Sequence, residues 1–410
     1  MKKLFLLLPV VFLLLAAFSC MALAESARDV TSECELHVPY IVTRRSYMTD
    51  RDYQTAMETE QLLQPVLSVT TGETPVAGVY VEFGASRLPF QVQVKQGSDW
   101  VTVASSGAYY AQEFVAFPPV QGEFRIHFIT NGYAEVLRIS EIHLLSEGEI
   151  DESKYHIWRD TVQKADLMIT VAHPDDELLW LGGMIPYYAT ERDMNVLVMY
   201  LTCGRYWREL ELLNGLWHCG VRNYPVIAYL PDFKTFYTEN VYKKWDRSSL
   251  NNYLVEQIRH YQPEVVVTHD FKGEYGHAQH IVCAYATQRA VKYAAQTDYH
   301  TESFKQYGAW QVKKFYAHLG KDFTTVMNWH EALLSLNGKS SFEIACEAYQ
   351  MHISQLDGST YYDVADRFTQ YDSFVYTLVH STVGEDQVGG DLFENVPSES
   401  LTNRYYKFLW

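Results

Sequence analysis

Two textures of hydrophobic patterning divide the chain. From about Glu25 to Ile150, short segments alternate apolar and polar residues: VAGVYVEFG, PFQVQVKQG, WVTVAS, EFVAFPPV, EFRIHFIT and LRISEIHLL, separated by Gly, Pro, Ser and Asn. A period of two with turn residues between the runs predicts half-buried strands and an all-β sandwich over residues 25–150. From Lys164 to the end at 410, short apolar runs alternate with longer stretches of helical spacing. Strands are predicted at Leu167–Ala172, Asn195–Gly204, Val226–Leu230 and Glu264–His269, and helices at Arg208–Val221, Ser249–Tyr261 and His280–Ala294. Repeated β-α units predict an α/β domain with a Rossmann-like, mostly parallel sheet and helices on both faces. Residues 151–163 read as the linker between the two.

One stretch of the second texture carries candidate chemistry. In LMITVAHPDDELLWLGGMIP, Leu167 to Pro186, an apolar strand gives way to His173, Pro174, Asp175, Asp176 and Glu177 before helical spacing resumes. Side chains at the carboxyl end of such a strand converge on the crevice where open α/β sheets bind ligands. An imidazole with carboxylates suits zinc or a similar divalent metal. The same residues also suit a capped helix start, with Asp175 and Asp176 answering the helix dipole. About a hundred residues later PEVVVTHDFKGEYGHAQHIVCAYA, Pro263 to Ala286, leads from a second apolar run into a loop with His277 and His280.

The pairing of A-H-P-D-D-E with a later G-H-x-x-H, each after a strand, resembles the PIG-L (LmbE-like) deacetylases. That family uses a metal to remove acetyl groups from N-acetylglucosamine-type substrates. The resemblance covers about Ala165 to the end, and it implies His173, Asp176 and His280 as ligands of zinc or ferrous iron. It further implies Asp175 as general base, held ionised beside the cation, and a protonated His277 stabilising the oxyanion and protonating the amine. Tyr275 matches a tyrosine contacting the acyl oxygen, Arg208 of R-x-x-E a sugar-holding arginine, and Asp232 a residue binding sugar hydroxyls. Against these stand a loop tyrosine that only packs, an i, i+3 ion pair of Arg208 with Glu211, and a turn aspartate. Glu177 and Gly183 read as a helix-start acid and a close-packing glycine. His269 or Asp270 is expected to hydrogen-bond the ligand histidines, and His218, His260 and His318 to be surface or satisfied core residues.

Where the family's commonest pattern is G-H-x-D-H, this chain has Gln279. An amide orients an imidazole without supplying charge, so His277 is expected to titrate lower than in its relatives. A late helix, FEIACEAYQMHISQ, is predicted to run to about Gln355, with His352 and Gln355 either lining the pocket or serving as cap and packing contact. In texture the front half resembles discoidin or galactose-binding-like jelly-roll modules, through Trp100 and the strand containing R-I-S-E-I. Tyr109 and Tyr110 are its candidate glycan contacts, but with no ligand motif visible a packing role is expected.

Composition narrows the function classes. The chain has 410 residues and a formal net charge of −17, a field that repels nucleic acid and anionic membrane surfaces. Lys2 and Lys3, an apolar run from Leu4 to about Ala17, and small residues at Ala22 and Ala24 predict a secretory signal peptide over 1–24. The run is short for a spanning helix, so no integral membrane segment is expected after cleavage. Phe18 and Ser19 make a poor lipobox before Cys20. Cys34, Cys203, Cys219, Cys283 and Cys346 are scattered without C-x-x-C pairs, which excludes a thiolate metal site. The 31 Tyr, 20 Phe and 9 Trp supply cores and also surfaces for stacking on sugar rings. The expectation is a secreted zinc-dependent N-acetylglucosaminyl deacetylase acting on an N-acetylated amino sugar or glycan. A glycan-binding protein that has lost activity, and a hydrolase of a non-sugar amide, are the alternatives.

Overall fold

The computed structural model describes residues 25–85, 87–107, 110–320, 324–356 and 363–402. The expected signal peptide with Cys20, and Tyr109, lie outside the described residues. The chain divides into two compact units, Tyr110–Gln112 and the residues from His156 forming the second.

The first unit is built from β1 (Glu35–His37), β2 (Val42–Thr43), β3 (Met57–Leu62), β4 (Val66–Thr70), β5 (Val76–Phe83), β6 (Phe90–Gln96), β7 (Asp99–Ser105), β8 (Gln112–Val120), β9 (Glu123–Phe128) and β10 (Glu135–Leu145). They form two five-stranded sheets, β1-β4-β9-β6-β7 and β2-β3-β10-β5-β8. Alternate residues such as Val69, Phe83, Phe90, Phe124, Ile126, Phe128 and Ile139 are buried in one shared core. This is the expected sandwich. Of the first four strands, which escaped the patterning, β1 and β2 are very short and β3, METEQL, is interrupted by charge.

The second unit carries a seven-stranded sheet of order β13-β12-β11-β14-β15-β17-β16. Its strands are β11 (Leu167–Val171), β12 (Val196–Thr202), β13 (Val226–Leu230), β14 (Val265–Thr268), β15 (Lys314–His318), β16 (Thr325–Val326) and β17 (Val375–Ser381). The first five in chain order pair in parallel, while β17 runs antiparallel to β15 and β16. Every residue of β11, β12 and β14 is buried, which is why they read as continuous apolar runs. Each such Val, Leu or Ile contributes about 1.5–3 kcal/mol by leaving water.

Around the sheet lie α1 (Asp176–Leu179), α2 (Tyr206–His218), α3 (Arg247–Tyr261), α4 (Ala278–Ala294) and α5 (Ser341–Tyr349), with further short helices at Thr238–Tyr242 and Thr301–Tyr307. Met168, Leu197, Met199 and Val266 share a core with Leu254 and Ile258 of α3 and Val282 and Ala286 of α4. The chain steps from β11 outward to β12 and β13, then returns to β14 on the other side. The loops after β11 and β14 therefore flank a topological switch point. Among the described residues no helix is long and apolar enough to cross a membrane.

Two helices differ from expectation. The segment after β11 forms only the four residues of α1 before the chain breaks at Gly182, whose φ of +54° lies outside a helix. The helix predicted to reach Gln355 ends at Tyr349, and Ile353–Gln355 form a separate turn. That turn is drawn toward α2 by Glu211, whose carboxylate accepts hydrogen bonds from Ser354 N and Oγ, both at 2.7 Å. At its other end α5 opens with a capping box, Ser340 Oγ accepting from Glu343 N and Glu343 Oε2 from Ser340 N.

Gly183 lets α5 approach the β11–α1 turn, because a Cβ there would stand 2.9 Å from Ser341 C and 3.0 Å from Phe342 N. Since its own φ of −74° suits any residue, Gly183→Ala tests packing alone. It is expected to cost about 1–3 kcal/mol, lowering the melting temperature by about 2–4 °C per kcal/mol in a unit of this size, as read by calorimetry.

Candidate active site

The turn after β11 folds back on itself through Asp176. Its Oδ2 accepts from His173 N at 2.7 Å, and its Oδ1 accepts from Trp180 Nε1 at 2.9 Å. Asp175 sits at the start of α1 with φ +111°, makes no side-chain cap, and is pinned by its N–H donating to Glu177 Oε2 at 2.9 Å. Glu177 is thus structural, though it holds the backbone of Asp175 rather than answering the dipole. The strained φ, worth about 1–3 kcal/mol in a non-glycine residue, is a feature of functional sites.

Three acceptor atoms converge here. His173 Nδ1 lies 3.1 Å from Asp176 Oδ2 and 3.1 Å from His280 Nε2, and His280 Nε2 lies 3.3 Å from Asp176 Oδ1. Hydrogen-bond partners on the far sides of the rings decide where the protons are. Gln279 Nε2 donates to Pro231 O at 2.9 Å, which turns Gln279 Oε1 toward His173 Nε2 at 3.0 Å. An amide oxygen only accepts, so His173 carries a proton on Nε2, and Nδ1 is the nitrogen turned toward Asp176. Against the pull of burial, the Asp176 charge raises the ring's titration. His280 Nδ1 faces Glu274 Oε2 at 2.8 Å, so its Nε2 holds a lone pair.

Two imidazole nitrogens and a carboxylate, all buried and within 3.3 Å of one another, form a site that favours positive charge. Donors at about 2.0–2.2 Å from a tetrahedral zinc stand roughly 3.3–3.6 Å apart, so the donor set fits such an ion. His277 brings a further ring nitrogen within 4.8 Å of His173 and His280. His269 Nε2 lies 3.3 Å from Asp176 Oδ2 but accepts from Ala172 N at 3.0 Å, so its lone pair is engaged.

A cavity of about 230 Å³ opens on this cluster, lined by His173, Asp175, Asp176, Arg208, Asp232, Tyr275 and His277 together with Trp180, Lys234, Tyr349 and Gln355. All the sequence-predicted site residues except His280 line it; His280 lies fully buried behind them. A larger cavity of about 650 Å³ beside Arg192 and Asp391 has no converging imidazoles. Arg208 does not pair with Glu211. It donates to Asp175 Oδ2 at 3.2 Å, to Asp232 Oδ2 at 3.3 Å and to Pro174 O. Of the two late-helix residues, Gln355 lines the cavity, whereas His352 is buried beside Glu177, with Nε2 3.6 Å from Glu177 Oε1.

Burial perturbs two charge states. Burial pushes the Asp175 carboxyl up to about 7, with the Arg208 cation pulling the other way. A divalent cation nearby would pull in the same direction as Arg208 and favour the ionised form. Burial, reinforced by the neighbouring His173 and His280, pushes His277 down to about 3, so it stands neutral at pH 7. The expectation that Gln279 governs His277 is corrected as well: its amide faces His173, Pro231 O and Phe233 N.

Sequence reasoning missed Glu274. This carboxylate is fully buried and faces His269, His280 and His318. Burial alone would raise it, but the charge and hydrogen bonds of these imidazoles hold it well below the usual carboxylate range. The signal was present in G-E-Y-G-H, a carboxylate one position before Tyr275. His318 is a satisfied core residue, as expected, satisfied by Glu274 and by Asp372 O at 3.1 Å.

Residues 168–291 match the family described as PIG-L: GlcNAc-PI de-N-acetylase, and the chain carries a PIG-L domain there. It is 28% identical over 183 residues to 1D-myo-inositol 2-acetamido-2-deoxy-alpha-D-glucopyranoside deacetylase 1 of Frankia alni, covering 35% of this chain and 59% of that one. It is 30% identical over 178 residues to the deacetylase of the same description from Rhodococcus jostii, covering 37% and 60%. The chain thus spans about three-fifths of the length of these relatives. Among solved structures, N,N'-diacetylchitobiose deacetylase from Pyrococcus horikoshii aligns at a TM-score of 0.35 and 15% identity, over 51% of this chain and 77% of that chain.

Because the Arg208 cation lowers the Asp175 carboxyl, Arg208→Gln is expected to move its titration upward from about 7. Losing a cation at this range shifts the midpoint by about 1–3 pH units. Carboxyl-labelled aspartate followed by NMR in the metal-free protein checks both sign and size; a midpoint that stays put or falls refutes the assignment.

Proposed function

We propose that this chain is a metal-dependent hydrolase that removes N-acetyl groups from N-acetylglucosamine-type amino sugars. The single observation that carries the reading is the set of three groups, His173 Nδ1, His280 Nε2 and Asp176, held 3.1–3.3 Å apart beside the buried Asp175. The deacetylase activity that the Frankia and Rhodococcus relatives are named for supports the substrate class.

His173, Asp176 and His280 would hold the ion, zinc or ferrous iron. When bound, a divalent ion supplies Lewis acidity, withdrawing charge from a carbonyl oxygen and acidifying water. The chain's own residues do the rest. Asp175 takes the proton of the attacking water as oxygen bonds to the acyl carbon, a role suited to a base titrating near the working pH. The same carboxyl then gives that proton to the departing nitrogen, so the products are acetate and the free amine. His277, neutral, donates a ring N–H toward the acyl oxygen as negative charge develops there, and Tyr275 lines the same side.

Arg208 and Asp232 offer a donor and an acceptor to sugar hydroxyls, and Trp180 and Tyr349 a flat apolar wall. The leader-like residues 1–24 support action outside the cytoplasm, on a cell-wall or other extracellular glycan.

The test is acetate release from N-acetylglucosamine oligomers, muropeptides and glycolipid fragments. Turnover is expected to vanish with chelator, to return with zinc or ferrous iron, and to fall by about 10²–10⁴-fold in Asp175→Ala. No release from any substrate, with glycan retention intact, would favour a binding protein. Release only from non-sugar amides would reassign the substrate.

A further inference from the structure

Glu274 takes no part in the proton transfers proposed above, yet it is the hub of the buried polar network behind the cavity. Its Oε2 faces His280 Nδ1 at 2.8 Å and His269 Nδ1 at 3.2 Å. Its Oε1 faces His318 Nδ1 at 3.1 Å and accepts from Asp270 N at 3.0 Å. The residue holds a left-handed φ of +52°, which a non-glycine adopts only where its surroundings impose it.

His280 is flanked by two carboxylates, Glu274 at Nδ1 and Asp176 at Nε2, and its single proton can go to either. On Nε2 the proton would bond Asp176 Oδ1, 3.3 Å away, and both groups would be consumed by a histidine–carboxylate hydrogen bond. On Nδ1, toward the nearer Glu274, it leaves the Nε2 lone pair and the Asp176 carboxylate free. His269 is locked the same way: Ala172 N–H occupies its Nε2, so its proton also points at Glu274. Its ring stacks on that of His280, with centroids 4.1 Å apart and planes 16° from parallel. His318, tied on its other nitrogen to Asp372 O, anchors the carboxylate to β15.

We propose that Glu274 is a positioning residue that sets the metal affinity of the site by fixing the His280 tautomer. It accepts the Nδ1–H of His280 and His269 together and so keeps His280 from closing on Asp176. This rests on the metal reading given under Proposed function. Carboxylates that orient ligand imidazoles in this way influence metal affinity by about 10–100-fold.

Two measurements test it. In metal-free wild-type protein, long-range ¹H–¹⁵N histidine spectra should show His280 protonated at Nδ1; an Nε2–H tautomer would overturn the proposal. This measurement requires no variant to fold. Zinc dissociation constants from competition with a chromogenic chelator should rise about 10–100-fold in Glu274→Ala, with Glu274→Gln, which keeps one acceptor oxygen, between it and wild type. Circular dichroism establishes that each variant compared is folded. Zinc bound within twofold by wild type and Glu274→Ala would sink this proposal alone. A wild-type protein that binds neither zinc nor ferrous iron would sink the metal reading with it.

Discussion

The constraint on which the second unit's site depends is the enforced proximity of three proton acceptors. His173 Nδ1, His280 Nε2 and the Asp176 carboxylate stand within 3.3 Å of one another, a spacing that calls for positive charge among them. Such an arrangement is unfavourable in an empty low-dielectric interior and persists only because each group is held from behind. His173 is held by Gln279 and its own N–H, Asp176 by that N–H and Trp180 Nε1, and His280 by Glu274. The groups at the back come from the turn after β11, the residue that follows α1, the loop after β14, and α4. The fold therefore has to be complete before the site exists.

Backbone strain falls where this arrangement demands it. Asp175 at φ +111° and Glu274 at φ +52° each lie in a region that side-chain-bearing residues avoid. Each cost of about 1–3 kcal/mol is offset locally. For Asp175 the compensation is the Glu177 carboxylate on its N–H; for Glu274 it is the set of donors around its own carboxylate. The rigid sheet beneath, with every residue of β11 and β14 buried, gives both turns a base that does not yield.

What was legible in the sequence follows from range. Strands β11, β12 and β14 are runs of buried apolar residues, so local pattern was enough to find them, and the histidines and aspartates at their ends came with them. The sandwich was legible wherever strands alternated cleanly, and not where Val42–Thr43 has only two residues or METEQL carries two glutamates. Partners were harder. Nothing local says that Gln279 faces His173 across 106 positions rather than His277 two residues away, nor that Glu274 gathers three histidines from two strand ends and a helix. The neutral state of His277 was hidden for the same reason: it is set by burial and by His173 and His280, which only the fold brings close. The early end of α5 is also a long-range effect, since Glu211 on α2 binds Ser354 and pulls the chain out of helical register.

The R-x-x-E pattern on α2 shows how one short motif serves two structural ends. Read as a helix surface, Arg208 and Glu211 would pair with each other and contribute a few tenths of a kcal/mol. Instead the two side chains diverge. Arg208 bridges Asp175 and Asp232, lowering the base and fixing an acceptor at the cavity rim. Glu211, fully buried, clamps the turn that carries Gln355 into the cavity wall. Because both bonds originate on one rigid helix, the charge state of Asp175 and the shape of the wall opposite it are mechanically linked. A displacement of α2 alters both together.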